Sequence, residues 1–299
     1  MSTLLARTAQ EAARSLGTAA NPDMMRMQLL QSAAVVAMDE TGLLDEVTLQ
    51  GGSAIVGCYG GLRMSRDLDF CSARTPTKGQ AEAFSEGVED VVRDLFDIKV
   101  RVKSPAEARC GVPAVPGKVA VARWEVRAES FEDRPDLPLD VLKVEVAAVP
   151  HETERVLEFR PPALAAMGSK AVAIVTESPT ELVADKVVSL CAESRFVRYR
   201  DLWDIAFLDA TCLIDRRELS DLVAHKATAY GIDISHLQER AQTLRDSNPE
   251  VEFASSLEGM LVTDEARESA AGGRRTTALV NRAMGIVGAS VGRQTGFEP

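Results

Sequence analysis

The stretch that decides the fold is residues 51–70, which read Gly51-Gly-Ser-Ala-Ile-Val-Gly-Cys-Tyr-Gly-Gly-Leu-Arg-Met-Ser-Arg-Asp-Leu-Asp-Phe70. A short β-prone run, Val47-Thr-Leu-Gln50, leads into it. Gly51 and Gly52 permit a tight turn and let a phosphate approach the backbone closely. If a helix follows the turn, its free N–H groups favour an anion, and Ser53 adds a hydroxyl donor. The segment therefore predicts a strand, a glycine turn and a helix that together bind a phosphate group.

Two carboxylates close this segment. Asp67 and Asp69 are spaced i, i+2, so on a strand both side chains point to one face, about 7 Å apart. Carboxylates placed near a triphosphate suit Mg²⁺, which also takes the substrate's own oxygens. Two such ions about 3.5–4 Å apart activate an attacking oxygen and stabilise a leaving group. A lone Gly-Gly-Ser is usually only a turn and a lone Asp-x-Asp usually a solvated strand, but the two in this order are far more specific.

The combined pattern resembles the nucleotidyltransferase fold of the DNA polymerase β superfamily. The fuller string, with Tyr59-Gly and Arg63-x-Ser65-x-Asp67-Leu-Asp-Phe70, is similar to the AbiEii/AbiGii-type nucleotidyltransferase toxins. Three later segments resemble the same family in the same order: Leu142-Lys-Val-Glu-Val146, Glu181-Leu-Val-Ala-Asp-Lys186 and Arg200-Asp-Leu-Trp-Asp204. Two departures are a Ser53-to-Asp67 interval one residue longer than the family's, and Asp185 where the family usually carries Glu.

The resemblance implies an NTP-dependent enzyme of the cytoplasm that transfers a nucleoside monophosphate to an acceptor, with Mg²⁺ or Mn²⁺ as cofactor. RNA, such as the 3′ end of tRNA, is the expected acceptor, and a cognate antitoxin is an expected protein partner. Two alternatives stay open at this point. The chain is either a nucleotidyltransferase or kinase-like enzyme that modifies a protein partner or antitoxin, or a non-catalytic binding member of the fold.

The expected metal ligands are three carboxylates: Asp67, Asp69 and Glu145. Val144 and Val146 flank Glu145, so its side chain points away from theirs on a strand. Asp140 is the rival third acid, because strand parity puts it on the other face. Gly52 and Ser53 are expected to bind the β- and γ-phosphates.

Several further residues are assigned roles by the resemblance. Lys186 follows an apolar helical face and is expected to reach the triphosphate, with a surface lysine as the alternative. Arg63 and Ser65, just ahead of Asp67, are expected to contact the nucleotide, although Ser65 also fits a plain strand end. Asp201 and Asp204 share one helix face. Asp204 is expected to take part in catalysis, but the sequence leaves open which of the two is the functional acid.

Composition excludes several other functions. The 299 residues carry a net charge of −11, so the chain has no global field for nucleic acid and needs local cations for it. The best local basic patches are Arg195 to Arg200 and Arg274-Arg275. Five cysteines without a CxxC pair indicate reduced thiols, and three scattered histidines do not suggest zinc. We expect no signal peptide and no transmembrane helix.

The coarse pattern predicts an α+β protein: a mixed nucleotidyltransferase-type sheet domain flanked by helices, followed by a helical domain. We expect an N-terminal helical segment over residues 1–45, packed on the sheet domain of residues 46–178. Residues 179–299 are expected to form the helical domain and to end in a loose tail. Helices are predicted over Lys78–Phe96 and from Ser178 as N-cap, with further caps at Ser220, Asp233 and Ser247. Strands are predicted at three period-two segments, residues 98–103, 119–127 and 139–146.

Overall fold

The computed structural model describes residues 3–16, 21–129, 139–164, 171–193, 195–247, 249 and 252–292. The sequence predicts a loose tail from Glu265 onward, with one possible helix in its middle. Two helices, Asp264–Ala270 and Arg274–Gly292, instead occupy most of it, and its end, from residue 293 onward, lies outside the described residues. The described residues form a mixed sheet with helices, which confirms the α+β prediction. No helix in this part of the chain is both long and apolar enough to span a bilayer.

The chain divides into two compact units. The first contains residues 1–114, 120–177 and 259–264, and the second contains residues 115–119, 178–258 and 265–299. Residues 115–119 thus belong with the second unit, although the chain on both sides of them belongs with the first. Residues 259–264 belong with the first unit, although the chain on both sides of them belongs with the second.

The first unit begins with two helices where the sequence predicts one helical segment. They are α1 (Leu4–Leu16) and α2 (Pro22–Glu40). Asn21 caps α2, its side chain accepting from the N–H of Asp23, and Pro22 takes the first helical position, where no N–H is needed. A 3-10 turn over Leu43–Glu46 follows.

A seven-stranded sheet forms the centre of the first unit. Its strands are β1 (Thr48–Gln50), β2 (Leu68–Ser72), β3 (Val100–Lys103), β4 (Val121–Ala128), β5 (Asp140–Ala148), β6 (Arg155–Phe159) and β7 (Val172–Thr176). The strand order is β3-β4-β5-β2-β1-β7-β6. β2 runs parallel to β5 and β1 runs parallel to β7, and the other neighbours are antiparallel. The three predicted strands correspond to β3, β4 and β5, whereas β6 and β7 were not predicted.

One face of the sheet is apolar and the other carries the site. Helix α3 (Gly51–Tyr59) follows β1, and helix α4 (Lys78–Phe96) has the bounds that the sequence predicts. Trp124 of β4 lies edge-on to Phe84 of α4 at 5.1 Å and donates its indole N–H to the carbonyl of Ala81. Because side chains alternate along a strand, the residues next to Trp124 point to the opposite face.

The second unit is helical. Its helices are α5 (Pro179–Ala192), α6 (Tyr199–Thr211), α7 (Arg216–Tyr230), α8 (Ile234–Asp246), α9 (Phe253–Ser256), α10 (Asp264–Ala270) and α11 (Arg274–Gly292), the first residue of α10 being counted with the sheet unit. Ser178 caps α5 and Asp233 caps α8, as predicted. Ser247 is also a cap, at the C-terminal end of α8. The cap prediction at Ser220 was wrong, because Ser220 lies inside α7, which Asp215 caps.

Candidate active site

The glycine turn packs directly against the residues that the sequence singles out. Gly51 has φ +73°, and a Cβ there would lie 2.9 Å from Oδ2 of Asp69. A Cβ on Gly52 would lie 2.8 Å from both a guanidinium nitrogen of Arg63 and Oγ of Ser65. The turn therefore has room only for glycine, and the fold brings Gly52, Arg63 and Ser65 together.

Ser53 presents a buried hydroxyl at the start of α3. Its side chain is 1% exposed, and its Oγ has no hydrogen-bond partner among the described residues. Gln50, the N-cap of α3, makes no side-chain capping bond, so the side chain that commonly closes a helix start does not do so here. A buried unsatisfied hydroxyl costs free energy. A phosphate oxygen at this helix start would satisfy both the hydroxyl and the N–H groups.

The carboxylates lie in a row across the sheet. In the register of β1, β2, β5 and β4, Gln50 pairs with Asp69, Asp69 with Glu145, and Glu145 with Arg123. Residues directly opposite on neighbouring strands share a face, so Asp69 and Glu145 point the same way. Asp67 lies at the entry to β2 and, like Asp69, is half-buried. The guanidinium of Arg123 holds Glu145 by an ion pair of 2.6 Å.

Asp140, the rival third acid, faces the other side of the sheet. Nε of Arg26 on α2 donates to its carboxylate at 2.7 Å, and both side chains are largely buried. Asp140 therefore ties α2 to β5 and lies on the opposite face from Asp69.

The residues fit a metal ion that is bound together with its substrate. Within the described ranges, no three His, Cys, Asp or Glu side chains converge as a preformed metal cluster. Mg²⁺ rarely uses an all-protein cage and is commonly bound by one or two carboxylates plus substrate phosphates. Asp67 and Asp69, with Glu145 adjacent, supply such a donor set beside the Gly51-Gly52 turn.

A buried glutamine, which the sequence analysis missed, supports the loop before β2. Nε2 of Gln31 on α2 donates to the backbone carbonyls of Ser65 and Asp67, both at 3.2 Å. Arg63 in turn donates to the carbonyl of Met64 at 2.7 Å. These bonds fix the backbone that carries Ser65 and Asp67. The sequence signal for it was a polar residue inside an otherwise apolar helical stretch.

Lys186 lies in the second unit, in a network of ion pairs that is almost completely buried from solvent. Its Nζ is 3.2 Å from Oδ1 of Asp201 and 3.2 Å from Oδ2 of Asp204, and all three side chains are at most 10% exposed. The two acids project from adjacent turns of α6, as their spacing predicts. The sequence left open a surface lysine; Lys186 is instead buried and ion-paired.

Asp201 and Asp204 differ in their other contacts. Oδ2 of Asp201 also accepts from the Ser189 hydroxyl at 2.7 Å and is ion-paired with Arg198. Burial alone would raise the pKa of Asp201, but Lys186, Arg198 and Ser189 outweigh burial and lower it to about 2. Asp201 is thus a charged anchor that holds Lys186 in place.

A second buried lysine, Lys226 of α7, was also missed. Its Nζ lies 2.6 Å from Glu181 and 3.2 Å from Asp185, so the residue at the family's Glu position forms a structural ion pair. For the other departure, the longer Ser53-to-Asp67 interval, we predict that Gly60 and Gly61 accommodate the extra residue. Gly60 ends α3 with φ +71°, and the N–H of Gly61 donates to Ile55 at 2.8 Å.

The basic residues predicted near α6 are largely neutralised by neighbours. Arg195 forms an ion pair with Glu193, and Arg198 forms one with Asp201. Tyr199 donates its hydroxyl to Glu252 at 3.2 Å. Arg275 lies 3.8 Å from Glu268. Arg195, Arg198 and Arg275 are therefore each paired with an acid.

A mixed sheet on which a glycine turn opens a helix beside an Asp-x-Asp strand defines a nucleotidyltransferase. The chain belongs to the nucleotidyl transferase AbiEii toxin family of type IV toxin–antitoxin systems, whose family model matches residues 34–275. It is therefore an NTP-dependent nucleotidyltransferase of a toxin family, as the sequence motifs predict.

The fold is similar to that of a solved nucleotidyltransferase toxin. The nucleotidyltransferase toxin MenT4 (Rv2826c) of Mycobacterium tuberculosis H37Rv superimposes with a TM-score of 0.58 at 19% identity, covering 95% of this chain and 88% of MenT4. JHP933 of Helicobacter pylori has a TM-score of 0.48 at 15% identity, covering 89% of this chain and 93% of JHP933. A comparison with curated proteins finds no match.

Proposed function

We propose that this enzyme transfers a nucleoside monophosphate from an NTP to an RNA acceptor, such as the 3′ end of tRNA, with Mg²⁺ or Mn²⁺ as cofactor. The observation that carries the proposal is the unsatisfied Ser53 hydroxyl at the start of α3, next to the turn that packs against Asp69. The Ser53 hydroxyl offers a donor to an anion on one side of this turn, and the Asp69 carboxylate on the other side is a ligand type that suits a divalent cation. An NTP with its divalent ion supplies both.

The residues of the sheet unit divide the work. Gly52, Ser53 and the first N–H groups of α3 bind the phosphates. Asp67, Asp69 and Glu145 hold the metal, which when bound neutralises phosphate charge and lowers the pKa of the acceptor hydroxyl. Arg63 and Ser65 contact the turn at Gly52 and orient it.

The transfer itself is a simple substitution. The acceptor hydroxyl oxygen forms a bond to the α-phosphorus, the bond from that phosphorus to the bridging oxygen breaks, and pyrophosphate leaves. The hydroxyl proton passes to water. Positioning and charge stabilisation supply most of the rate in such reactions. Rigid support of the Asp67 loop by Gln31 therefore matters directly to the chemistry.

Lys186 and Asp204 complete the proposed catalytic set. Lys186 is the family's lysine, a compact cation suited to a triphosphate. We assign Asp204 to catalysis on the family motif, and we assign Asp201 the structural role of holding Lys186 together with Ser189 and Arg198. This assignment rests on the family motif and on contacts inside the second unit.

One experiment tests the proposal. The protein is incubated with each α-³²P-labelled NTP, Mg²⁺, total cellular RNA and total cellular protein, and the two macromolecules are then separated. We expect the label in RNA and at its 3′ end. Label in protein instead would establish the alternative of a protein-modifying enzyme, and γ-phosphate transfer would indicate kinase-like activity. The proposal also places the enzyme in the cytoplasm, together with its NTP and a cognate antitoxin.

A further inference from the structure

The sheet face that carries Asp69 and Glu145 also carries lysine and arginine side chains from β3, β4 and β5. The first row across the strands is Asp69, Glu145 and Arg123. Two residues further along, Lys143, Glu125 and Lys103 lie side by side on β5, β4 and β3. The third row is Val141, Arg127 and Arg101. Because residues opposite each other share a face, all three rows lie on one surface.

The charge of this surface is positive, although the net charge of the whole chain is negative. The chain has net charge −11, whereas these rows hold five cations against three acids, Asp69, Glu125 and Glu145. The cations are exposed: the side chains of Arg101, Lys103, Arg123 and Arg127 are 83%, 71%, 53% and 47% accessible. Arg127, Lys103 and Lys143 surround Glu125 and lower its pKa, which is what a positive local field does.

We propose that this face, defined by Arg101, Lys103, Arg123, Arg127 and Lys143, binds the sugar–phosphate backbone of the RNA acceptor and leads its 3′ end to Asp69 and Glu145. The inference rests on the proposed function, since it assigns the acceptor surface of the same site. Its length fits a short stretch of backbone: rows are about 6.6 Å apart along a strand, and strands are about 4.8 Å apart.

The side-chain chemistry favours RNA over a protein partner. Protein interfaces are depleted of charge at their centre and enriched in aromatic side chains. Nucleic-acid interfaces are more polar and much more positive. The only apolar member of these rows outside the carboxylate row is Val141, which is 39% exposed. Exposed ion pairs such as Lys103 to Glu125, at 3.9 Å, contribute little stability, so phosphates can replace the glutamate at small cost.

The test compares two triple variants with equal charge change. The first is Arg101→Gln, Lys103→Gln and Arg127→Gln. The control is Arg93→Gln, Lys78→Gln and Arg160→Gln, whose side chains are 60%, 57% and 66% exposed and are also ion-paired with acids. Both Lys78 and Arg93 belong to α4, which packs on the opposite face of the sheet.

The probe is a 5′-fluorescein-labelled single-stranded RNA of twelve nucleotides, which is longer than the face, and binding is followed by anisotropy across KCl concentrations. Each phosphate contact contributes about 0.7 to the slope of log affinity against log salt for a single strand. The face variant should lower the slope by about two units and raise KM for RNA about tenfold or more. The control triple should keep the wild-type slope. The single variant Lys103→Gln, expected to lower the slope by about 0.7, serves if the triple melts early.

The outcomes separate this inference from the proposed function. An unchanged slope and KM in the face variant, while the wild type still labels RNA, would refute the face and leave the function standing. A wild type that binds the probe through this face but labels no RNA would refute the function alone. Equal loss in the control triple, or equal competition by poly-L-glutamate per charge, would overturn the assignment to RNA.

Discussion

Glu145 and Asp140 lie on one strand but point to opposite faces of the sheet, so their substitutions should have different effects. Glu145→Gln should lower transfer about 100-fold or more, as Asp69→Asn should, because a charge at the reacting centre is lost. Asp140→Asn should keep activity but cost about 1–3 kcal/mol of stability, because Arg26 loses its largely buried charged acceptor and keeps the exposed Asp23. Transfer rates and melting temperatures of the three variants check this. The reverse order would mean that the metal faces α2.

Lys186→Ala tests the buried ion network of the second unit. The sequence predicted that Lys186 contacts the nucleotide, with a surface lysine as the alternative, and the structure adds a buried ion pair. The contacts of Lys186 with Asp201 and Asp204 make the side chain structural in any case. Removing it leaves two buried carboxylates, so we expect a loss of about 3–5 kcal/mol as well as weaker NTP binding. Lys186→Arg should restore stability more than NTP affinity, because a planar fork replaces a point charge poorly.

NTP affinity and melting temperature measured on both Lys186 variants separate the two effects. If Lys186→Arg binds NTP as the wild type does, the nucleotide contact is refuted and only the structural role remains.

Asp201 makes stability depend on pH in a narrow acid window. Its folded pKa of about 2 lies below the usual value near 3.8, so it contributes stability that is fully present above the usual value. That contribution is lost as the pH falls from about 4 through 2. Asp201→Asn should therefore be less stable than the wild type at pH 7, and the difference should shrink toward pH 2. Melting temperatures of both proteins across this range are the measurement, and a constant difference would contradict the assignment.

Part of the site followed from the sequence, and the reasons differ from residue to residue. Asp67 and Asp69 were predicted because their chemistry depends on local spacing. Gln31 and Lys226 were not predicted, because their hydrogen-bond and ion-pair partners lie 34 to 45 positions away along the chain. Long-range polar contacts leave no periodic pattern in a sequence. The contacts of Asp201 with Ser189 and Arg198 likewise became visible only when α5 and α6 were packed together.

At the level of elements, α3 depends on a close contact that only glycine permits. Gly57 packs on Phe159 of β6, and a Cβ there would lie 2.2 Å from the ring. Gly57→Ala should cost about 1–3 kcal/mol, because overpacking outweighs the gain in helix propensity. Gly79→Ala in α4 is the matched control, since a Cβ there meets nothing within 4 Å. Thermal unfolding of both variants checks the prediction, and equal stability would place Phe159 elsewhere.

The elements themselves were predictable where both ends carried signals. Helix α4 matches its prediction because Thr77 caps it, accepting from the N–H of Gln80, and because its apolar residues recur on one face. Strands β6 and β7 gave no such signal. β6 is an edge strand whose Val156 is 71% exposed, so it lacks the alternation that marks a half-buried strand. Pairing with neighbouring strands, rather than a local sequence pattern, makes these two segments strands.

At the scale of the whole molecule, metal and nucleotide should bind as a unit. No three-ligand metal cluster is preformed in the described ranges, and the buried Ser53 hydroxyl has no hydrogen-bond partner there. Mg²⁺ alone should therefore barely change the melting temperature, and NTP with EDTA should change it little. NTP with Mg²⁺ at about 100 times its Kd should add about 2.7 kcal/mol of stability. Asp67→Asn should abolish the dependence on Mg²⁺, and Ser53→Ala should weaken the response to NTP. A full shift with Mg²⁺ alone would mean that the protein builds the metal site without its substrate.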